Sequence, residues 1–241
     1  MNIIVNIDKF KKYAGFLIVI LFLDVSCIAF QLDELSDAGS KYQIEEKTIT
    51  QLSHDLNQGK ITSEQLVRIY LNRIEEFDKN GPKVNSVLSI NPRAICDARQ
   101  CDKQRKEGKA LGLLHGIPVL LKDNIESADL LPTTAGSLAL AENQTDRDAP
   151  IVARLRSAGA VILGKSNLSE WANIRSTNST SGWSAIGGLT RNPYSLDYSA
   201  CGSSSGSAAA VAANFTSVAV GTETDGSIIC PSSMNGIVGL K

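Results

Sequence analysis

Two serine-rich turns in the last third of the chain carry the residue types best suited to chemistry. The first, residues 202–207, has so little side-chain bulk that its backbone can turn tightly. The second, residues 222–227, turns sharply between two apolar segments and places Ser227 on the turn. A small-residue helix and a short strand at 217–220 are predicted between them. Hydroxyl groups beside free helix N–H groups predict either an anion-binding loop or a serine nucleophile.

A serine nucleophile needs a base, and the chain has only two histidines. His54 falls in a predicted scaffold helix, and His115 precedes a strand, where a packed or hydrogen-bonded imidazole is the usual outcome. Lysine is the recognised alternative base. Lys122 ends the apolar run 117–121, where burial could lower its pKa of about 10.4 by the roughly three units that a neutral amine requires. The alternative is a strand-end lysine that reaches solvent. Asp123 would oppose the pKa shift, so we expect its carboxylate to point elsewhere.

Together these motifs resemble the amidase signature family in their order and approximate spacing. The matching residues are Leu120-Leu121-Lys122-Asp123-Asn124, Thr133-Thr134-Ala135-Gly136-Ser137, Gly202-Ser203-Ser204 and Asp225-Gly226-Ser227-Ile228. The run 221–231 is similar to the branch that contains peptide amidases, and the resemblance covers about residues 45–241. It implies an α/β fold with a mixed sheet covered by helices on both faces. Apolar strands separated by amphipathic helices favour the same class.

The resemblance implies a role for each matching residue. In the implied Ser-Ser-Lys triad, Ser227 is the nucleophile, Ser203 bridges, and Lys122 is the general base. The implied oxyanion hole consists of the backbone N–H groups of Thr224, Asp225, Gly226 and Ser227. Gly202 and Ser204 support the triad, and the Gly202–Ser203 peptide bond is expected to be cis. No metal and no organic cofactor is implied.

The implied reaction is hydrolysis of a carboxamide, either a peptide C-terminal amide or a small amide, through an acyl-enzyme. Ile229 stands where many family members have arginine and Asp225 where many have glycine, which agrees with the peptide-amidase-like branch. Cys201 and Ser205 replace frequent glycines, which affects the details of the first turn. Alternatives are a non-catalytic truncated product and a glutaminase-type amidotransferase subunit. A phosphate- or nucleotide-binding module is disfavoured because the Gly-Lys-Ser/Thr ending of a P-loop is missing.

Composition supports a globular enzyme and argues against nucleic acid as a partner. The 241 residues are 43% hydrophobic and 20% charged, with a net charge of −1. Predicted helices cover 50–57, a stretch that begins with a capping box at Thr62 and Gln65, and 92–109. Predicted strands cover 84–90, 117–121 and 160–163. The polar stretch 164–199 contains both tryptophans and is expected to form a wall of the site.

The N-terminal residues differ from the rest of the chain. Residues 1–30 have three lysines followed by the apolar run 15–23, a pattern typical of an export signal or an N-terminal anchor. A lipid anchor at Cys27 is a third alternative. Residues 31–47 are predicted to be a polar linker, and 48–241 an amidase signature domain that is truncated at its C-terminal end. We therefore expect an exported protein, periplasmic or secreted, that contacts a membrane only if the first segment is retained.

The cysteines suggest packing rather than metal binding. Their spacing lacks the paired CxxC pattern of a zinc site. Cys96 and Cys101 could form a local disulfide, although burial as small apolar residues is the favoured interpretation. Cys201 and Cys230 flank the two serine turns and are expected to pack there.

Overall fold

The computed structural model describes residues 42–241, so the predicted export signal and most of the predicted linker lie outside the described residues. The helices are α1 (Ile49–Asn57), α2 (Ser63–Arg73), α3 (Ala94–Lys106), α4 (Pro150–Ser157), α5 (Ser205–Ala212) and α6 (Ile229–Met234). The strands are β1 (Val87–Ile90), β2 (Pro118–Lys122), β3 (Val161–Ser166), β4 (Trp183–Ser184), β5 (Gly188–Leu189), β6 (Arg191–Asn192), β7 (Ser195–Ser199) and β8 (Ala219–Val220). A π-helical segment, Ile74–Asn80, continues α2. In residues 42–241 we find no helix with the length and apolarity needed to cross a membrane.

Four strands form one mixed sheet in the order β1-β3-β2-β8. Strand β2 runs parallel to both of its neighbours, whereas β1 is antiparallel to β3. The remaining strands pair as two small antiparallel hairpins, β4 with β5 and β6 with β7, inside the polar stretch. The predicted α/β class with a mixed sheet is therefore confirmed.

Local signals in the sequence fix the first two helices. Thr48 and Gln51 form a capping box at the start of α1, and Thr62 and Gln65 form the predicted one at the start of α2. In each box the threonine side chain accepts from a backbone N–H and the glutamine side chain accepts one in return. These helices cover the sheet and do not contribute to the serine turns.

Successive residues of β2 point to opposite faces of the sheet, and each face has its own apolar core. Leu120 lies in the larger core, together with residues of α1, α2, α3 and α5. Val119 and Leu121 lie in a smaller core with Ile162 and with Val152 of α4. We call these the α5 face and the α4 face. The two faces give residues 122 and 123 different surroundings.

A β-bulge interrupts the pairing of β2 with β3. Val119 pairs with Ile162, but Leu120 pairs with Gly164, so Leu163 is an extra residue on β3. Beyond the bulge, Leu121 pairs with Lys165, and Lys122 pairs with Ser166. Because paired residues share a face, the bulge places Lys165 on the α4 face and Ser166 on the α5 face.

Candidate active site

Lys122 is the last residue of β2, and its side chain is fully buried on the α5 face. Its Nζ lies 2.7 Å from Ser203 Oγ, 2.8 Å from Thr222 Oγ1 and 3.1 Å from the Thr222 carbonyl oxygen. A neutral amine has two N–H donors and one lone pair. The two Thr222 oxygens can accept both N–H groups, which leaves the lone pair to accept the Ser203 hydroxyl. These three partners therefore suit an uncharged lysine.

The electrostatics of this position favour the same protonation state. Burial lowers the pKa of Lys122 from 10.5 to about 7, and the negative charge of Glu223 partly opposes that shift. Asp123, although next in sequence, accepts hydrogen bonds from the Thr134 backbone N–H at 3.2 Å and from the Thr134 hydroxyl. It points away from Lys122, as predicted. The base candidate therefore sits among hydroxyl and carbonyl groups, with its neighbouring carboxylate engaged elsewhere.

The Ser203 turn is fixed by close packing around it. The Gly202–Ser203 peptide bond is cis, as the resemblance implied. A Cβ on Gly202 would collide with Ser169 Oγ, so this position has room only for glycine. The Ser169 N–H donates to the Ser203 carbonyl at 3.1 Å. Ser203 is thereby held, fully buried, beside Lys122.

Ser204 links this turn to the second one. Its Oγ donates to the Thr222 carbonyl at 3.1 Å and accepts from the Thr222 N–H at 3.2 Å. Its backbone N–H donates to the Ser227 carbonyl at 3.0 Å. The residue that follows Ser203 is thus hydrogen-bonded directly to Ser227, and the two serine turns form one unit.

Ser227 lies on a turn that ends where α6 begins, and it is half-buried. The Glu223 carboxylate accepts from the N–H groups of Ile228 at 2.6 Å and Ile229 at 2.9 Å. These contacts, with a further interaction from the Gly226 N–H, hold the pKa of Glu223 below its usual value. The carboxylate therefore anchors the backbone on the C-terminal side of Ser227.

The backbone N–H groups predicted to form an oxyanion hole differ in their surroundings. Within residues 42–241, those of Thr224, Asp225 and Ser227 donate no hydrogen bond. The Gly226 N–H interacts with the Glu223 carboxylate instead. Three of the four predicted donors are thus available to a ligand oxygen.

Cys201 and Cys230 form a disulfide, with 5.9 Å between their Cα atoms. The interpretation of these two cysteines as small packed apolar residues is therefore wrong. Cys201 precedes the Ser203 turn and Cys230 follows the Ser227 turn, so the bond joins the outer ends of both turns. The suggested pair of Cys96 and Cys101 does not form, because Cys101 is a buried free thiol.

The polar stretch 164–199 contacts the first turn, as expected of a wall of the site. Ser169 contacts the Ser203 turn, and its Oγ accepts from the Gly182 N–H at 2.8 Å. Beyond it lies a cavity of about 350 Å³ lined by Glu170, Arg175 and Trp183 together with small polar residues. The stretch therefore buttresses the Ser203 turn and borders a space of ligand size.

Neither histidine approaches the serine turns. His54 is exposed on α1. His115 is buried, with Nε2 2.9 Å from the Cys101 carbonyl. Across the described part of the chain, no group of three or more His, Cys, Asp or Glu side chains is arranged to hold a metal ion.

Two residues of the site were not predicted from the sequence. Thr222 supplies two of the three polar partners of Lys122, and Asn124 Nδ2 donates to its Oγ1 at 3.0 Å. Glu223 anchors the turn that carries Ser227. Both lie within five residues of Ser227 in the run 221–231, but only the pairing of β8 with β2 shows what they contact.

Comparison with known proteins identifies the family. The family model described as Amidase matches residues 65–241. A probable amidase of Arabidopsis thaliana is 48% identical over 204 residues, which is 84% of this chain and 39% of that protein. The solved structure of native peptide amidase from Stenotrophomonas maltophilia has 54% identity and a TM-score of 0.79, covering 81% of this chain and 40% of the other.

A second kind of relative also matches. One of the glutamyl-tRNA(Gln) amidotransferase subunits of Halorhodospira halophila is 43% identical over 199 residues, which is 81% of this chain and 39% of that relative. The chain thus spans about two fifths of the length of each of these relatives. It belongs to the amidase family, in its peptide-amidase-like branch.

Proposed function

We propose that this chain provides the catalytic residues of an amide hydrolase. Ser227 is the nucleophile, Ser203 relays its proton, and Lys122 is the general base. The observation that carries the proposal is the 2.7 Å approach of Lys122 Nζ to Ser203 Oγ inside a fully buried pocket. Burial also brings the pKa of Lys122 to about 7, where a lysine can accept a proton at neutral pH.

In this mechanism Ser227 Oγ attacks the amide carbonyl carbon. Its proton passes to Ser203 while the Ser203 proton passes to Lys122. The carbonyl oxygen, now negative, is stabilised by backbone N–H groups of the Ser227 turn, each worth about 3 kcal/mol. The C–N bond then breaks, and the Lys122 ammonium returns a proton through Ser203 to the leaving nitrogen. Water hydrolyses the ester on Ser227 and restores the free serine.

The proposed substrate is a carboxamide, with a peptide C-terminal amide as the first candidate and a small amide as the second. The similarity to a peptide amidase at 54% identity supports this choice. The proposal needs no metal or organic cofactor, since the proton transfers use side chains of this chain alone. The peptide or small amide is accordingly the only partner that we propose.

A glutaminase-type amidotransferase subunit is the second candidate, favoured by the 43% identity to one of the glutamyl-tRNA(Gln) amidotransferase subunits. It would use the same three residues to release ammonia from glutamine. The location that we propose, periplasmic or secreted, argues against it. The Cys201–Cys230 disulfide supports that location, because structural disulfides persist mainly in oxidising compartments.

The test is to incubate the protein with a C-terminally amidated dipeptide and, separately, with glutamine. Ammonia release is measured, and acid-quenched samples are searched by mass spectrometry for an acyl group on the peptide that contains Ser227. We expect ammonia from the dipeptide amide, an adduct on Ser227, and neither in Ser227→Ala. The matched control Ser233→Ala removes an exposed hydroxyl on α6 and should behave as the wild type.

Other outcomes separate the alternatives. Ammonia from glutamine alone would favour the amidotransferase function. An adduct on a different residue, or equal turnover in Ser227→Ala, would contradict the assigned nucleophile. No ammonia and no adduct from either substrate would overturn the proposal in favour of a non-catalytic product.

A further inference from the structure

A second lysine is fully buried one strand away from Lys122, and the proposed mechanism does not use it. Lys165 lies on β3, and its side chain has no solvent exposure. Its Nζ donates to Thr133 Oγ1 at 2.8 Å and to the Ile125 carbonyl. A buried ammonium is costly, so its presence here calls for a physical explanation.

The β-bulge decides where this side chain goes. Because Leu163 is an extra residue on β3, Lys165 pairs with Leu121 and shares its face of the sheet. Ser166 pairs with Lys122 instead, and its Oγ lies 2.7 Å from Ser207 Oγ on α5. The two lysines therefore end up on opposite faces of one sheet, although they occupy neighbouring parallel strands.

The Asp123 carboxylate lies on the same side as Lys165. Asp123 binds the backbone N–H and hydroxyl of Thr134, and Lys165 binds the hydroxyl of Thr133. The Ala135 N–H adds a bond to the Asp123 carbonyl at 2.9 Å. The anion next to the base and the second lysine thus hold adjacent residues of one loop.

The charges around the two lysines differ. The carboxylates that act on Lys165 are Asp123, Glu126, Asp129 and Asp148, whereas Glu223 acts on Lys122. Three of the four have arginine partners: Asp129 and Asp148 pair with Arg156, and Glu126 pairs with Arg147. For Asp123 the cation that acts is Lys165. Lys165 is therefore the counter-charge of the carboxylate that adjoins the base.

We propose that Lys165 is a positioning residue for the Lys122 base: it holds and neutralises the Asp123 carboxylate on the α4 face, so that this anion does not act on Lys122. The inference rests on the proposed role of Lys122. Burial raises the pKa of Asp123 to about 6, and Lys165 opposes that rise. Without Lys165 the anion next to the base has no counter-charge except Lys122 itself.

The test is a pH titration by NMR of the protein with ¹³C at the ε carbon of its lysines, which needs no substrate. The Lys122 resonance is assigned by its absence in Lys122→Met. In Lys165→Met we expect the Lys122 midpoint to rise by about one pH unit, because an uncompensated carboxylate nearby favours the ammonium form. In the double variant Lys165→Met/Asp123→Asn the midpoint should return to the wild-type value. Lys109→Met, at an exposed position, is the control.

A Lys122 midpoint in Lys165→Met within about 0.3 pH units of wild type would overturn the inference. If Lys165→Met does not fold, Asp123→Asn alone decides. A neutralised carboxylate predicts an unchanged Lys122 midpoint, and a fall of half a unit or more would show that Asp123 already acts on the base. A wild-type Lys122 midpoint near 10 would instead contradict the proposed function. The two failures are therefore distinguishable.

Discussion

Lys122 and Lys165 are the same residue type, equally buried, at the ends of neighbouring parallel strands, yet their surroundings differ. The polar contacts of Lys122 are with hydroxyl and carbonyl oxygens. Lys165 lies within the influence of four carboxylates. Burial lowers the pKa of both, but only around Lys165 do several anions oppose the shift. Counter-charge, rather than burial alone, separates a potential base from a structural cation.

The largest expected effect comes from removing the base. Lys122→Met should reduce acylation of Ser227 by about 10³-fold, because no other group accepts the proton from Ser203. Its unfolding free energy should change by less than about 1 kcal/mol near neutral pH, since a side chain of similar length replaces a largely uncharged amine. Both are measurable by adduct formation and urea unfolding, with Lys109→Met as control. Acylation within tenfold of wild type would remove the distinction between the two lysines.

The disulfide gives the next largest effect. It closes a segment with a sequence separation of 29 residues that contains both serine turns, so Cys201→Ser/Cys230→Ser should lose about 3 kcal/mol of unfolding free energy. Acylation of Ser227 should fall as well, since the turns lose the covalent bond between their outer ends. Urea unfolding and adduct formation test this, against Cys101→Ala as a cysteine control. Unchanged values for both would show that hydrogen bonds alone fix the α5 face.

A smaller effect is expected from the hydroxyl that orients Lys122. Thr222→Val removes the Oγ1 acceptor 2.8 Å from Nζ and should lower acylation about tenfold. Thr222→Ser, which retains the hydroxyl, should restore most of the rate. If the valine and serine variants react equally fast, the contact does not position the amine.

The pH dependence of stability should reveal the smallest difference. The folded-state pKa of Lys122, about 7, is below its ordinary value of 10.5, so the unfolded chain binds more protons between these limits. This contribution therefore stabilises the fold progressively as pH rises from 7 to 10.5. Unfolding free energy measured from pH 7 to 10 should rise less steeply in Lys122→Met than in wild type.

Asp123 predicts the opposite slope in a lower range. Its folded-state pKa, about 6, is above the ordinary 3.8, so the folded protein binds the extra proton and this stabilisation is lost as pH rises from 4 to 6. Asp123→Asn should remove that loss. Identical slopes in wild type and variant would mean that the carboxylate is solvated in the same way in both states.

The sequence predicted those parts of the molecule that depend on local chemistry. The capping box at Thr62 and the strand ending at Lys122 are found where expected. The α5 helix begins at Ser205, within the predicted small-residue segment. The proximity of Lys122 to Ser203 was inferred only through the family resemblance, because the two residues lie 81 positions apart.

What could not be predicted depends on how distant segments meet. Thr222 contacts Lys122 because β8 pairs with β2, and Lys165 faces away from it because of one extra residue in β3. Spacing alone could not pair Cys201 with Cys230, since disulfide connectivity depends on the fold. Each of these features became visible only when strand register was known.

The central claim is that neutral Lys122 activates Ser227 through Ser203. Its most direct test is the rate of acyl-adduct formation on Ser227 measured from pH 5 to 10 in the wild type and in Lys122→Met. We predict a wild-type rate that rises with pH, reaches half its maximum near pH 7 and then levels off, and a rate in Lys122→Met that is low and lacks this step. A wild-type midpoint above about pH 9, or the same midpoint near 7 in both proteins, would contradict the account.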